Sequence, residues 1–304
     1  MAERAILLTG CNGQLGFELR RALAALGTVA ALDRRACDLA ADAAALRRRL
    51  DDLIAEYRPA VIVNAAACTA VDRAETEPEL ARAVNARAPG VLGEAAARVG
   101  ALVVHYSTDY VFDGLASGAY REEDAPNPCN VYGESKLAGE RALLASGARC
   151  LIFRTSWVIG AHGENFARTI LRLAEERTRL DVVADQYGAP TAAALIAETT
   201  RLALQRREEA PEGFPLGLYH LTAAGATNWR DYAAFILAEA RRAGRVLKLT
   251  EAGLRAIPAR DYPLPAARPA NSRLDSSRLQ HALGLRLPHW RQGVRQTLRQ
   301  IFEL

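Results

Sequence analysis

A short apolar run, Ala5 to Thr9, opens into Gly10-Cys11-Asn12-Gly13-Gln14-Leu15-Gly16, and a helical pattern through Leu15, Leu19, Leu23 and Leu26 begins inside that turn. Glycine at every third position of a strand-to-helix junction leaves few folds open. Such a turn lets backbone approach a pyrophosphate closely, while the first N–H groups of the helix point at it. A turn that needs glycine only for packing produces the same triplet, so the surroundings decide. A second apolar run, Val29 to Leu32, ends at Asp33, the position from which a carboxylate reaches a ribose hydroxyl.

The same rhythm continues through the N-terminal half. A helix is predicted from Asp42 to Tyr57, stopping before Pro59, then a strand at Val61-Ile62-Val63, a helix from Pro89 to Val99 and a strand at Ala101 to Val104. A helix carrying Tyr132 and a strand from Cys150 to Phe153 follow. Short, nearly continuous apolar strands between helices mean a parallel sheet covered on both faces. Beyond residue 160 the pattern is irregular: helices at Phe166 to Arg177, Thr191 to Gln205, Trp229 to Arg242 and Gly293 to Phe302, with a short strand at Leu218 to Leu221. The expected fold class is α/β, a Rossmann-type doubly wound parallel sheet with a smaller mixed α/β C-terminal substrate-binding lobe. Residues 1–160 form mainly the NAD(P)-binding domain and 161–304 mainly the substrate lobe, with some segments returning to the core.

Composition excludes several classes. The net charge is +4, the pI is near 8.9, and no basic block is interleaved with aromatics, so a nucleic-acid polymer is not an expected partner. Cys11, Cys37, Cys68, Cys129 and Cys150 are scattered and odd in number, without metal-ligand spacing. That fits a reducing compartment, and with no apolar stretch long enough to span a bilayer the chain reads as cytoplasmic.

All but two of the 39 basic residues are arginine, and one of the two lysines, Lys136, lies one helical turn after Tyr132. This spacing puts a phenol and an ammonium on one helix face, an arrangement that makes tyrosine a proton donor near neutral pH. A free phenol titrates near 10, so the neighbouring cation is expected to pull its pKa down. The run His105-Tyr106-Ser107-Thr108 places Thr108 at the C-terminal edge of the fourth strand, where its hydroxyl meets a substrate oxygen. His105 reads as structural. Hydride transfer to a carbonyl, with Tyr132 supplying the proton, is the chemistry these residues suit. Cofactor choice stays open: Asp33 favours a 2'-hydroxyl, whereas Arg34 and Arg35 attract a 2'-phosphate, so NADPH and NADH both fit.

At these residues the chain resembles the extended short-chain dehydrogenase/reductase superfamily. The match runs through Gly10–Gly16, Asn64–Glu75, Ser107–Gly114, Tyr132–Lys136, Arg154–Val158, Asp185–Thr191 and Arg268–Asp275. The resemblance implies NAD(P)H-dependent reduction of the C4 keto group of a dTDP-sugar, dTDP-4-dehydro-β-L-rhamnose, to dTDP-β-L-rhamnose for cell-surface polysaccharide. It implies Thr108, Tyr132 and Lys136 as catalytic residues. Gly10, Gly13, Gln14, Leu15, Gly16, Asp33, Arg34, Asp38, Leu39, Ala67, Cys68 and Thr69 line the cofactor beside Tyr132 and Lys136, although Asp38 also suits a helix cap. Thr108, Asp109, Trp157, Arg268 and Arg273 meet the substrate, with a core position for Trp157 and structural ion pairs for the arginines as alternatives. Some members form magnesium-bridged dimers. Glu18 matches one ligand position, but Ala194 stands at the other and cannot bind a metal, so no metal is expected and the chain reads as a monomer or weak homodimer. A redox-neutral epimerase or dehydratase of the same superfamily, and a non-catalytic nucleotide-binding subunit, remain as rival readings.

Overall fold

The computed structural model describes residues 5–210 and 214–303. Strands β1 (Ala5–Thr9), β2 (Thr28–Leu32), β3 (Val61–Asn64), β4 (Leu102–Thr108), β5 (Arg149–Thr155) and β6 (Gly217–His220) form one sheet in the order β2-β1-β3-β4-β5-β6. Every neighbouring pair is parallel. The strands alternate strictly between two cores. Ile6, Leu8, Val61, Val63, Leu102 and Val104 face one, and Leu7, Ile62, Val103 and Ile152 the other. Apolar side chains on both faces of each strand are why these runs read as continuous rather than alternating. Each fully buried aliphatic contributes about 1.5–3 kcal/mol, and a helix layer is needed on either side to bury them.

Helix α1 (Gln14–Leu23) covers the first face; α2 (Ala43–Tyr57), α3 (Ala88–Val99) and α4 (Val131–Ala145) cover the second. The ends of α2 follow local chemistry. Asp42 caps it by accepting from the N–H groups of Ala44 and Ala45, and Arg58 turns left-handed ahead of Pro59. Asn130 caps α4 through the Gly133 N–H at 2.8 Å, which fixes where Tyr132 enters the helix.

Three boundaries differ from the sequence reading. β4 does not stop at Val104 but runs to Thr108, because His105, Ser107 and Thr108 are buried polar residues that continue the ladder with β5. The short strand at Leu218–Leu221 is the outer strand of the main sheet: β6 pairs with β5 over Gly217–His220. Thr191 and Ala192 are extended and pair with Val158 and Ile159, so helix α5 (Ala193–Glu209) starts two residues later and packs on α1.

The rest of the C-terminal half is built on short two-stranded pairings, Leu180–Val183 with Leu254–Ile257 and Tyr187–Gly188 with Thr227–Asn228. Helices Phe166–Glu176, Trp229–Arg242 and Trp290–Glu303 enclose a separate core around Ile170, Tyr232, Ile236, Trp290 and Leu298. β1 is flanked by β2 on one side and β3 on the other, so strand order reverses there. A crevice opens at such a switch point, beyond the strand ends.

Candidate active site

Two adjoining clefts occupy that crevice. The first, about 410 Å³, is lined by Gly10, Gly13, Asp33, Arg34, Asp38, Leu39 and Ala65 to Thr69. The second, about 460 Å³, shares Gly13, Ala65 to Ala67 and Thr69 with it and continues past Gln14 and Leu15 to Thr108, Asp109, Tyr132, Lys136 and Trp157. The glycines fit a dinucleotide. Gly10 holds a φ of +72°, and a Cβ there would come within 2.5 Å of the Ala66 nitrogen. A Cβ at Gly16 would drive into the Gly10 carbonyl oxygen. The N-cap of α1, Gly13, offers no side-chain acceptor, which leaves the first N–H groups of the helix for an anion. Asp33 accepts from the Ala36 N–H at 2.9 Å, and Arg34 lies 3.4 Å from Asp38, so both charges remain at the rim of the first cleft. Gln14 also ties the turn to the small lobe, since its Oε1 accepts from the Gly160 N–H at 2.8 Å and from Asn165 Nδ2 at 3.0 Å.

Sequence reasoning missed Asn85, which lies in a π-helical turn, Ala83–Arg87. Its side chain grips the backbone of Cys68 in both directions, at 2.9 and 3.0 Å, and also donates to Ser135 Oγ at 3.0 Å. A wide turn of this kind interrupts the regular helical ladder, and hydropathy carries no trace of it.

At the centre of the second cleft, the Tyr132 phenol stands beside the Thr108 hydroxyl. Thr108 donates to Asp109 at 2.9 Å, and Ser156 donates to the other Asp109 oxygen at 3.1 Å. Lys136 is buried, with Nζ donating to the Tyr106 carbonyl at 2.6 Å and lying 3.4 Å from His105 Nε2. Burial pushes the Tyr132 phenol up, against the influence of the neighbouring Thr108 hydroxyl; the Asp109 charge and Cys68 push it further. The expected downward pull of Lys136 is not among the influences acting on the phenol here, because the ammonium is turned toward β4. Burial in turn lowers Lys136 to about 8, opposed by the Glu140 carboxylate.

Asp109 is raised to about 6 by burial, against hydrogen bonds from Ser272, Thr108 and Ser156. The folded protein therefore keeps this proton at a pH where the unfolded chain has released it, and stability falls as pH rises from about 4 through 6. In urea unfolding across that range, Asp109→Asn should gain on the wild type with rising pH, by about 3 kcal/mol at the plateau. A difference that stays flat from pH 4 to 8 would show that Asp109 titrates normally.

An aromatic wall closes the cleft. Trp157 stacks face to face on Trp229 at 3.5 Å and 9°, with Phe166 and Tyr232 behind. Its backbone is left-handed at φ +45°, a strained setting for a bulky residue. Gly188 makes room: a Cβ there would lie 2.5 Å from the indole. Trp229, Tyr232, Glu164, Asn165 and Phe166 also line the cleft, and none was singled out from sequence.

The two arginines lie apart from it. Arg268 is held bidentately by Asp72, at 2.6 and 2.7 Å, and holds the Asp72 carboxyl below the usual range. Arg273 donates to Asn271 at 2.8 Å and to the Ser117 carbonyl at 2.7 Å. Neither lines the two clefts, and for Arg268 the ion-pair alternative describes the arrangement. For magnesium the fit fails: Glu18 lies 4.0 Å from Arg21, Ala194 carries no ligand atom, and no group of three acidic, histidine or cysteine side chains gathers among the described residues.

A glycine cradle at a switch point, continuous with a Thr/Tyr/Lys centre, defines a nicotinamide-dependent oxidoreductase of the extended short-chain dehydrogenase/reductase kind. Comparison narrows the class. The RmlD substrate binding domain family matches residues 4–302. The dTDP-4-dehydrorhamnose reductase of Salmonella typhimurium is 50% identical over 297 residues, 98% of each chain. The crystal structure of dTDP-4-dehydrorhamnose reductase from Bacillus anthracis in complex with NADP superposes with a TM-score of 0.86 at 31% identity, covering 98% of this chain and 99% of that one. This chain belongs to the dTDP-4-dehydrorhamnose reductase family. The UDP-glucose 4-epimerase of Thermus thermophilus, in complex with NAD, reaches a TM-score of 0.78 over 98% of this chain and 99% of its own at only 21% identity, and shares the fold.

Proposed function

We propose that the chain reduces the C4 keto group of dTDP-4-dehydro-β-L-rhamnose to dTDP-β-L-rhamnose, using NADPH or NADH. The observation that carries this reading is the continuity of the two clefts. Residues Gly13, Ala65 to Ala67 and Thr69 belong to both, so a dinucleotide in the glycine cradle leads directly to Thr108, Tyr132 and Lys136. The reduced nicotinamide, when bound, supplies the hydride. Thr108 binds the substrate carbonyl oxygen, and the Tyr132 hydroxyl, kept protonated by its burial, gives that oxygen its proton as negative charge develops. Lys136 holds the cofactor ribose. Asp109 keeps the Thr108 hydroxyl oriented, and the Trp157–Trp229 wall packs against the deoxysugar.

The family's reductases, at half the residues identical, favour net reduction over the redox-neutral epimerisation of the more distant fold relatives. Residues 1–160 serve mainly the cofactor and 161–304 mainly the sugar nucleotide. The reading makes the chain a cytoplasmic monomer or weak homodimer with no nucleic-acid polymer partner. Free thiols throughout the described residues support the compartment, and no helix among them is long and apolar enough to cross a membrane.

Incubation with the 4-keto sugar nucleotide and each reduced nicotinamide in turn tests the proposal. One cofactor should be oxidised per sugar, with dTDP-β-L-rhamnose as the product by NMR. Conversion of the sugar without net loss of reduced cofactor would overturn it in favour of an epimerase.

A further inference from the structure

Behind Lys136 runs a row of buried polar side chains to which the reduction chemistry assigns no part. Thr9 and Asn64 end β1 and β3 and stand beside His105 in the middle of β4, where the register pairs Thr9 with Asn64 and Asn64 with His105. All three are at most 2% exposed. Thr9 Oγ1 donates to Asn64 Oδ1 at 2.7 Å, Asn64 Nδ2 lies 3.1 Å from His105 Nδ1, and His105 Nε2 lies 3.4 Å from Lys136 Nζ. Side chains paired in this way on three adjacent strands share a face, so the row follows from the sheet register itself.

We propose that His105, backed by Asn64 and Thr9, is a positioning residue for Lys136 that holds its ammonium at the reducing site and sets the pH at which that charge is lost. A neutral imidazole has one N–H and one acceptor nitrogen. To accept from an ammonium, Nε2 must be bare, which puts the proton on Nδ1 and requires Asn64 to present its oxygen there. With the Asn64 amide as it stands here, Nδ2 toward the ring and Oδ1 toward Thr9, Nδ1 accepts and Nε2 carries the proton, an arrangement that suits only a lysine amine. The amide group is nearly symmetric in shape, so both orientations occupy the same space. The row therefore has two self-consistent polarities, one matched to each charge state of Lys136, and His105 links them.

The charges around Nζ leave this role to His105. Among the described residues no carboxylate lies within ion-pair distance of Nζ. Glu140, one turn along α4, is committed to Arg154 of β5 at 2.9 and 2.7 Å. Tyr132, one turn earlier on α4, turns its phenol toward Thr108 of β4. Burial, reinforced by the Lys136 charge, holds the His105 imidazolium form well below its ordinary range, so the ring stays neutral and available as an acceptor.

The inference rests on the assigned role of Lys136, but its test reads the lysine directly and needs no turnover. Only two lysines are present, and Lys248 is exposed, so protein labelled with carbon-13 at lysine Cε gives two resolvable signals, one of them an internal control. In the wild type the Lys136 signal should titrate at about 8, below the ordinary lysine range. His105→Leu removes the acceptor, and the Lys136 midpoint should fall by about one pH unit. His105→Gln, whose Oε1 reaches toward Nζ, should restore it, while His105→Asn, which reaches only toward Asn64, should behave like His105→Leu. The Gln and Asn pair decides the matter even if the Leu variant fails to fold. A Lys136 midpoint unchanged in His105→Leu, or equal in the Gln and Asn variants, would overturn the proposal. Loss of reductase activity with a normal titration would count against the enzymatic reading alone.

Discussion

Tyr132→Phe is expected to fold, to bind reduced nicotinamide as the wild type does, and to lose turnover by about 10²–10⁴-fold. The substitution removes one oxygen and little else. The ring keeps its edge-on contact with Tyr110 at 5.8 Å, and helix α4 keeps the Asn130 cap that places it. What disappears is the hydroxyl beside Thr108, the acid that would protonate a carbonyl oxygen bound there. The loss should fall on kcat, with KM for the cofactor unchanged, as for an interaction made in the transition state. Cofactor affinity by fluorescence and steady-state kinetics on the same preparation separate the two. Turnover near that of the wild type would remove Tyr132 from the role of acid.

The largest effect on stability is expected at a pair remote from the substrate. Arg154 of β5 and Glu140 of α4 are each 3% exposed and joined by two hydrogen bonds, with the guanidinium 5.1 Å over the Phe112 ring. Arg154→Leu strands the Glu140 carboxylate in the core and should cost about 3–5 kcal/mol, read as a lower urea midpoint. The double variant Arg154→Leu with Glu140→Leu should recover most of that loss, since an apolar pair of similar volume avoids the buried charge. A single variant as stable as the wild type would mean that water reaches Glu140 in solution.

Much of this architecture is legible in the chain because strand and helix periods alternate cleanly up to residue 160. Local signals such as Asp42 before α2 and Pro59 after it even mark the ends. β4 is instructive because its apolar run ends at Val104 while the strand continues through His105 to Thr108. These residues are strand because their backbone continues the ladder with β5, and pairing of that kind is invisible to a local reading. Leu218 is a similar case, since nothing in a short apolar run says which strand it will join. The site divides along the same line. Gly10, Gly16, Thr108, Tyr132 and Lys136 are carried by contiguous motifs, and the fold brings them into one crevice. The pairing of Arg268 with Asp72, far earlier in the chain, is not something a local reading supplies. Trp229, Glu164 and Asn85 were missed because their setting is made by folding, by a stacked indole, a cleft rim and a π-turn.

All three tryptophans of the chain belong to one aromatic cluster: Trp157 stacks on Trp229, and Tyr232 connects that stack to Trp290. Two of them border the crevice that receives the cofactor. The protein thus carries a built-in optical probe whose tryptophan emission comes wholly from this one cluster. Quenching on adding a nicotinamide or a sugar nucleotide reports events at that wall, undiluted by signal from the rest of the molecule.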